Sequence, residues 1–350
     1  MIKLYGFSFL KDGERFDYPY KEMLTCMGQL VEKCYLALGE NDDGTSGFVS
    51  QFPHVKVIPT VWDMSKIGDG GLIFSEQTNI ALKDLRNEQS DQKEAWGIYL
   101  QSDEIIHESE FDQLRKDIEQ AQLQGCDAVR FRYFHFWMSH YEIAVNKRWY
   151  PHEIRAVKLD SDVVNHGDAQ GFSGFKKVYE SDVHIFHYGH VRDLKKREEK
   201  QKELIRKIRP GQKFKKYLSR EKKAFAKTKS IPIRLQHSEV MKERILKMGE
   251  IFDLPYIDEV FVVGDQKDFS QNINEVLHVK NIKWCSTVGE VPKEKRRNNM
   301  VIFEPSLFEQ WRWDQLNLRS MESELAREWT NDQKLLFKIS SKFPIKRKAL

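Results

Sequence analysis

Short apolar runs alternate with amphipathic stretches through the first half of the chain. The runs IKLYGFSFL, CYLALGE, HVKVIPTVW and WGIYLQSDE are rich in β-branched and aromatic residues, which predicts strands. The stretches YKEMLTCMGQLVEKC and GGLIFSEQTNIALKDLR repeat apolar residues every three or four positions, which predicts helices, and a third helix is predicted from Glu108 to Gln124. Strands that alternate with helices predict an α/β fold with a mostly parallel sheet and flanking helices.

Longer aromatic runs follow the third helix. DAVRFRYFHFWMSHYEIAV and RWYPHEIRAVKL predict added mixed or antiparallel strands, and DVHIFHYGHVR closes this first domain. Alternation along a strand places Tyr133, His135 and Trp137 on one face and Phe134 and Phe136 on the other, so at least one set belongs to a core.

A change of texture predicts the domain boundaries. We expect a first domain over residues 1–192, a basic helical linker over 193–230 and a smaller α/β domain over 231–350. In the last, the strands EVFVVGD, NIKWCST and NMVIFE lie between the helical stretches EVMKERILKMGEIF and SELAREWTNDQKLLFKI.

Composition narrows the class of protein. The 350 residues are 40% hydrophobic and 12% aromatic, which supports a real core and excludes a disordered chain. No apolar run is long enough to cross a membrane and no charged-then-apolar leader is seen, so a cytoplasmic location is expected. The four cysteines form no CxxC pair, which argues against a disulfide framework or a zinc knuckle.

The net charge of +4 hides an asymmetry. Residues 192–230 carry 17 Lys or Arg against 5 Asp or Glu, a net charge of +12, so the rest of the chain carries −8. Apolar residues such as Leu204, Ile208 and Phe214 interrupt this segment, which fits docking on an anionic membrane surface and would make the protein membrane-peripheral. The alternative is a solvated helix that packs its apolar stripe on the first domain. Nucleic acid is not expected as a partner, because the rest of the chain is acidic and no nucleic-acid module is seen.

One strand ends abruptly at polar residues. In AWGIYLQSDEIIHE, a buried strand would deliver Asp103 and Glu104 to its C-terminal edge, where α/β sheets bind ligands. The alternative is that both carboxylates cap the helix that follows.

Eight motifs in this order carry a family resemblance: FSFLKDGERFDYPYKEML, LGENDDGT, TVWD, GGLIFSEQTNIAL, YLQSDEIIHE, RWYPHEIRAVK, GDAQGF and IFHYGHVR. Together they resemble a bacterial family 2 glycosyltransferase with the GT-A fold, over about residues 2–192. The resemblance implies a nucleoside-diphosphate sugar donor, a divalent metal (Mn²⁺ or Mg²⁺) and usually inversion at the anomeric carbon. It also implies a glycan or glycolipid acceptor, in surface polysaccharide or lipopolysaccharide synthesis.

The resemblance assigns metal ligands. The family's Asp-x-Asp-like motif corresponds to Gln101-Ser102-Asp103, so Asp103 keeps the metal role and Gln101 is left to hydrogen-bond the ribose or a water. His187 corresponds to the family's late histidine ligand, although it also lies on a strand simply rich in aromatic residues. The amide at position 101 leaves weaker metal binding, or metal independence, open.

The resemblance also assigns donor-binding residues. Asp42 and Asp43, in the turn NDDGT, would contact the nucleotide, although such a turn is often only a turn. In SEQTNIAL, Gln77 and Asn79 would reach the nucleobase or pyrophosphate and Glu76 would pair with a base; the alternative is a helix with a merely solvated polar face.

An inverting transfer needs a general base for the acceptor hydroxyl. The family's base falls between residues 154 and 186 in this chain, and we predict Asp168 in the Gly-flanked loop NHGDAQGF, with Glu153 as the second candidate. Asp168 as an ordinary turn residue remains the alternative.

The predicted function is therefore a glycosyltransferase. Two rivals remain: a metal-dependent nucleotidyltransferase or hydrolase, which would need no acceptor sugar, and a non-catalytic scaffold with a decayed glycosyltransferase fold. The second rival predicts that Asp103→Ala leaves function intact.

Overall fold

The computed structural model describes residues 2–63, 71–89, 94–140, 142–144, 149–191, 228, 230–232, 236–248, 259–263, 281–286, 290 and 300–303.

The described strands range from three residues to the thirteen of Val178–His190. They are β1 (Lys3–Leu10), β2 (Cys34–Gly39), β3 (Val55–Thr60), β4 (Ala95–Tyr99), β5 (Glu104–Ile106), β6 (Ala128–Trp137), β7 (Glu142–Ala144), β8 (His152–Lys158), β9 (Val164–His166), β10 (Gly171–Ser173), β11 (Val178–His190), β12 (Ser230–Pro232), β13 (Glu259–Val263), β14 (Asn281–Cys285) and β15 (Met300–Phe303). The helices are α1 (Tyr20–Leu30), α2 (Thr45–Val49), α3 (Leu72–Glu88), α4 (Phe111–Leu123) and α5 (Lys242–Lys247).

The chain divides into two compact units. Unit 1 comprises Met1–Tyr133, His152–Lys227 and Ser238–Val240, and unit 2 comprises the remaining three segments, Phe134–Pro151, Thr228–His237 and Met241–Leu350. The predicted linker falls almost wholly outside the described residues, and the predicted domain boundaries stay predictions.

The sheet of unit 1 has a parallel half and an antiparallel half. The parallel half has the order β3-β2-β1-β4. Strand β8 then pairs antiparallel with β4, and β6 antiparallel with β8. Strand β11 pairs with both β5 and β6. This mixed α/β sheet with its flanking helices confirms the predicted fold class.

Helices cover both faces of the parallel half because side chains of a strand alternate between faces. Tyr5 and Phe7 on β1 share a core cluster with Leu82 and Leu85 of α3. On the other face of β1, a side chain at Gly6 would meet the Met27 sulfur of α1 at 3.1 Å. Strands β1 and β2 are therefore buried between α3 and α1, and each fully buried Leu or Phe contributes roughly 1.5–3 kcal/mol.

Several local predictions were corrected by the structure. The strand predicted to run through Glu104 ends at Tyr99, and Glu104 begins the separate strand β5. Asp103 and Glu104 do not cap the following helix, since α4 begins after Glu110. The loop NHGDAQGF is the turn of a hairpin, β9–β10, that sequence periodicity did not reveal. The prediction that at least one set of aromatic side chains on β6 belongs to a core is confirmed, since both sets are buried.

The described strands of unit 2 fall into two groups. Strand β7 pairs antiparallel with β12 and with the end of β6. The three strands predicted in the C-terminal domain are confirmed as β13, β14 and β15, which form a parallel sheet of order β14-β13-β15. The predicted helix SELAREWTNDQKLLFKI lies outside the described residues.

All four cysteines are free and buried. Among the helices that the structure describes, none combines the length and the apolar character that crossing a bilayer requires.

Candidate functional site

The C-terminal edge of the parallel strands carries most of the predicted site. Strand β1 lies between β2 and β4, so the chain adds strands first on one side of β1 and then on the other. A crevice opens at such a switch point, and ligands of open α/β sheets bind there. The Ser8 hydroxyl donates to the Leu100 carbonyl at 2.5 Å, which holds the ends of β1 and β4 together.

Asp103 and His187 meet at this edge. Strand β11 pairs antiparallel with β5 so that His187 lies opposite Glu104, the neighbour of Asp103. The Tyr188 N–H donates to the Asp103 carbonyl at 2.8 Å and fixes the register. As a result His187 Nε2 lies 3.8 Å from Asp103 Oδ1, and each residue is 8% exposed.

Gly189 lies directly against this pair. It lies two residues after His187, on the same face of β11. A Cβ atom at this position would lie 2.7 Å from His187 Nε2 and 2.8 Å from Asp103 Oδ2. Glycine inside a strand often marks a close approach to its backbone, and here the missing side chain lets the Asp103 and His187 side chains lie against the backbone of β11.

A carboxylate and an imidazole fit Mn²⁺ or Mg²⁺ as a partial ligand set. The described residues contain no group of three or more His, Cys, Asp or Glu side chains arranged to hold a metal. Such cations are commonly held by one or two protein ligands together with waters and substrate phosphates. His184 is engaged elsewhere, because its ring Nδ1 lies 3.1 Å from Glu110 Oε1 and its backbone N–H donates to the other oxygen of that carboxylate.

The two predicted nucleotide-binding carboxylates differ in their surroundings. Asp43 accepts from the Arg15 N–H and from the N–H and hydroxyl of Thr45, at 2.6 to 3.1 Å. Burial acts to raise the pKa of Asp43, but these hydrogen bonds outweigh it and lower the pKa. The Asp42 side chain is 82% exposed and pairs with the Arg15 guanidinium. Asp43 therefore links its own turn to the loop that contains Arg15. The Asp42 side chain faces solvent at the sheet edge.

The three predicted donor-binding residues on α3 also lie in different environments. Asn79 donates to the Asn165 carbonyl at 2.8 Å and accepts from the Asn165 N–H at 2.9 Å, so both ends of its amide hold β9. Gln77 is 2% exposed, and its side-chain oxygen has no hydrogen-bond partner among the described residues. Glu76 is partly buried one residue earlier. Donor contacts by all three stay predictions.

Asp168 is exposed and lies in the turn of the β9–β10 hairpin. This turn packs beside Gly71, the residue before α3. A Cβ atom on Gly71, which has a φ of +80°, would lie 2.7 Å from the Asp168 Cβ. The next residue, Ala169, is also left-handed, with a φ of 68°. Its carbonyl accepts from the Gln101 side chain at 3.1 Å. This hydrogen bond brings the turn that carries Asp168 to the end of β4, where Gln101 lies two residues before Asp103 in the sequence.

Glu153 lies partly buried on β8, opposite Phe131. Burial raises its pKa, although Arg155, His152 and Arg130 act to lower it. A raised pKa suits a general base that works near neutral pH.

A buried ion pair beneath the site was not predicted from the sequence. Arg155 donates to both oxygens of Glu104 at 2.9 Å, and both side chains are 0% exposed. The Tyr133 hydroxyl and the Gln101 N–H also donate to Glu104. The rings of Tyr99 and Tyr133 lie 5.1 and 5.2 Å from the guanidinium. No local pattern signals this pair, whereas a glycine between two histidines, as in HYGH, could have marked Gly189.

Comparisons with known proteins give likenesses to solved structures alone. No protein-family model and no curated protein matches the chain. TarS of S. aureus is 10% identical with a TM-score of 0.35, over 60% of this chain and 40% of TarS, so the chain spans less than half of that protein. A putative nucleotide-diphospho-sugar transferase from Desulfovibrio desulfuricans is 15% identical with a TM-score of 0.32, over 64% of this chain and 97% of its own. The 4-diphosphocytidyl-2C-methyl-D-erythritol synthase of Anaerococcus prevotii is 11% identical with a TM-score of 0.31, over 59% and 95%. At these TM-scores the likenesses carry no argument about activity.

Proposed function

We propose that the chain is a metal-dependent glycosyltransferase that moves a sugar from a nucleoside-diphosphate sugar to a hydroxyl of a glycan or glycolipid. The observation that carries the proposal is the meeting of Asp103 and His187, 3.8 Å apart, beside the bare backbone of Gly189. This pair lies at the C-terminal edge of β4, next to the crevice where an α/β sheet binds nucleotides.

Each residue has a chemical task in this proposal. Asp103 and His187 would hold a divalent cation, which when bound offsets the negative charge that the leaving diphosphate gains. Asp42 would contact the nucleotide from its exposed position. Asp168 would take the proton from the attacking hydroxyl, with Glu153 as the alternative base, and such a base adds roughly 10²- to 10⁴-fold in rate.

Calorimetric titration of UDP, GDP, CDP and dTDP, with and without Mn²⁺ or Mg²⁺, tests the donor site. We expect one nucleotide to bind in a metal-dependent way. Asp103→Asn and Gly189→Ala should each weaken that binding by at least about tenfold, the first by removing a proposed ligand and the second because the added Cβ would displace the side chains of Asp103 and His187. Gly47→Ala is the matched control, because a Cβ at Gly47 meets nothing within 4 Å.

Product analysis separates the reactions. Transfer to an acceptor with release of a nucleoside diphosphate supports the proposal, whereas nucleoside triphosphate chemistry without an acceptor sugar supports a nucleotidyltransferase. In the glycosyltransferase, Asp168→Asn should lower kcat and leave nucleotide affinity unchanged. A wild type that binds none of the four nucleotides overturns the proposal and favours the scaffold.

A further inference from the structure

We propose that Gln101 is a positioning residue whose side-chain amide fastens the β9–β10 hairpin, which carries Asp168, to the sheet edge that carries Asp103. This inference rests on the proposed function, in which Asp168 removes the proton. It gives the amide at position 101 a role of its own, distinct from that of a lost metal ligand.

The hydrogen bond from Gln101 requires a donor. Its Nε2 lies 3.1 Å from the Ala169 carbonyl and 3.4 Å from the Tyr99 hydroxyl. An ionised carboxylate can only accept hydrogen bonds, so an acid here would face the carbonyl oxygen without a proton between them. In the Asp-x-Asp-like motif, position 103 therefore keeps its acid, whereas the amide at position 101 binds the backbone carbonyl of Ala169.

The backbone that Gln101 binds is strained. Ala169 is 0% exposed and holds a φ of 68°, a left-handed conformation that is unfavourable for a residue with a side chain. Such a conformation persists only where the surroundings determine it. The Ala169 carbonyl also accepts from the Asn165 side chain at 3.4 Å. The turn that carries Asp168 is thus held by hydrogen bonds to the carbonyl of the next residue, Ala169.

Contacts of three further residues hold the same hairpin, all within unit 1. Arg155 of the buried ion pair donates to the Gln170 carbonyl at 2.8 Å. Asn79 of α3 binds both backbone groups of Asn165. Phe172 packs with ring centroids 6.2 Å from Phe7 and 5.4 Å from Tyr99. Among these anchors, the Gln101 amide is the one that starts two residues from Asp103 in the chain, so it sets the spacing between the proposed base and the metal edge most directly.

The test uses Gln101→Glu and Gln101→Met in the full chain. The first keeps the shape and removes the donor, and the second removes the donor without adding charge beside Asp103. Gln120→Glu, on the exposed face of α4, is the control for the change in net charge. Three quantities are measured: deuterium uptake of the peptide spanning residues 164–173, metal-dependent nucleotide affinity, and donor turnover.

Both Gln101 variants should exchange faster in that peptide than the wild type and the control, and should lose about 10- to 100-fold in kcat, because a displacement of about 1 Å costs that much. Their nucleotide affinity should be unchanged, which a direct donor contact by Gln101 would not allow. Unchanged exchange in both variants overturns the inference, and tighter metal-dependent binding in Gln101→Glu overturns it in favour of a lost ligand. A wild type without nucleotide binding overturns the proposed function instead, while the exchange data still decide whether Gln101 holds the hairpin.

Discussion

At the scale of single residues, Glu153 is the clearest case of a carboxyl group whose chemistry depends on its surroundings. Burial on β8 raises its pKa above the ordinary value of 4.5. The protonated form therefore stabilises the fold below that value, and this stability is lost as the pH rises through the folded-state pKa. A permanently neutral side chain at this position avoids the loss.

Glu153→Gln should accordingly raise the free energy of unfolding near neutral pH and leave it nearly unchanged in acid, well below pH 4.5. Urea unfolding at several pH values measures both. Glu180→Gln is a suitable control, since Glu180 pairs with Arg130 at the surface with a side chain 62% exposed. A variant that is stabilised equally at every pH would contradict the attribution to ionisation.

At the scale of elements, the Glu104–Arg155 pair joins β5 to β8 beneath the proposed site. Removing one partner of a buried ion pair leaves a charge without compensation, at a cost of about 3–5 kcal/mol. Arg155→Met should therefore destabilise the protein by about that amount, and the double variant Glu104→Gln, Arg155→Met should recover part of it, because no full charge then remains buried.

The surface pair of Arg132 and Asp182, with side chains 27% and 66% exposed, gives the comparison. Arg132→Met should cost only about 0–1 kcal/mol, since solvent screens that pair. Denaturant unfolding of all three variants measures the difference. Equal losses in Arg155→Met and Arg132→Met would show that the buried pair has no special role in joining the two strands.

At the scale of the whole molecule, the charge distribution predicts a surface partner. Residues 192–230 carry a net charge of +12, whereas the rest of the chain is negative. If this segment docks on anionic membranes, co-sedimentation with phosphatidylserine-containing vesicles should fall steeply with salt, because each Lys or Arg near the surface contributes about 1 kcal/mol of screened attraction.

Neutral phosphatidylcholine vesicles are the control for that experiment, and they should bind little protein at any salt concentration. A variant with Lys215→Gln and Lys216→Gln should bind anionic vesicles more weakly than the wild type. Binding that is absent, or that salt does not change, would favour a solvated helix in this segment.

The elements of the parallel half could be predicted well because their signal is local. In β1 and β2 a short continuous apolar run is buried on both faces of the sheet, and in α3 the core side chains repeat with the period of a helix, so the local pattern predicts each element within about two residues. The hairpin β9–β10 was missed because its strands have only three residues each and are defined by pairing with each other.

The sequence by itself determined the class of the fold, the order of its central elements and the presence of acidic residues after buried strands, since each of these depends on composition or on neighbours in the chain. Tertiary structure decided which of those residues meet. The 3.8 Å approach of Asp103 to His187, the buried pairing of Glu104 with Arg155 and the reach of Gln101 to Ala169 join positions 84, 51 and 68 residues apart in the sequence. Such contacts depend on strand order and register, which are fixed only when the whole sheet closes over its core.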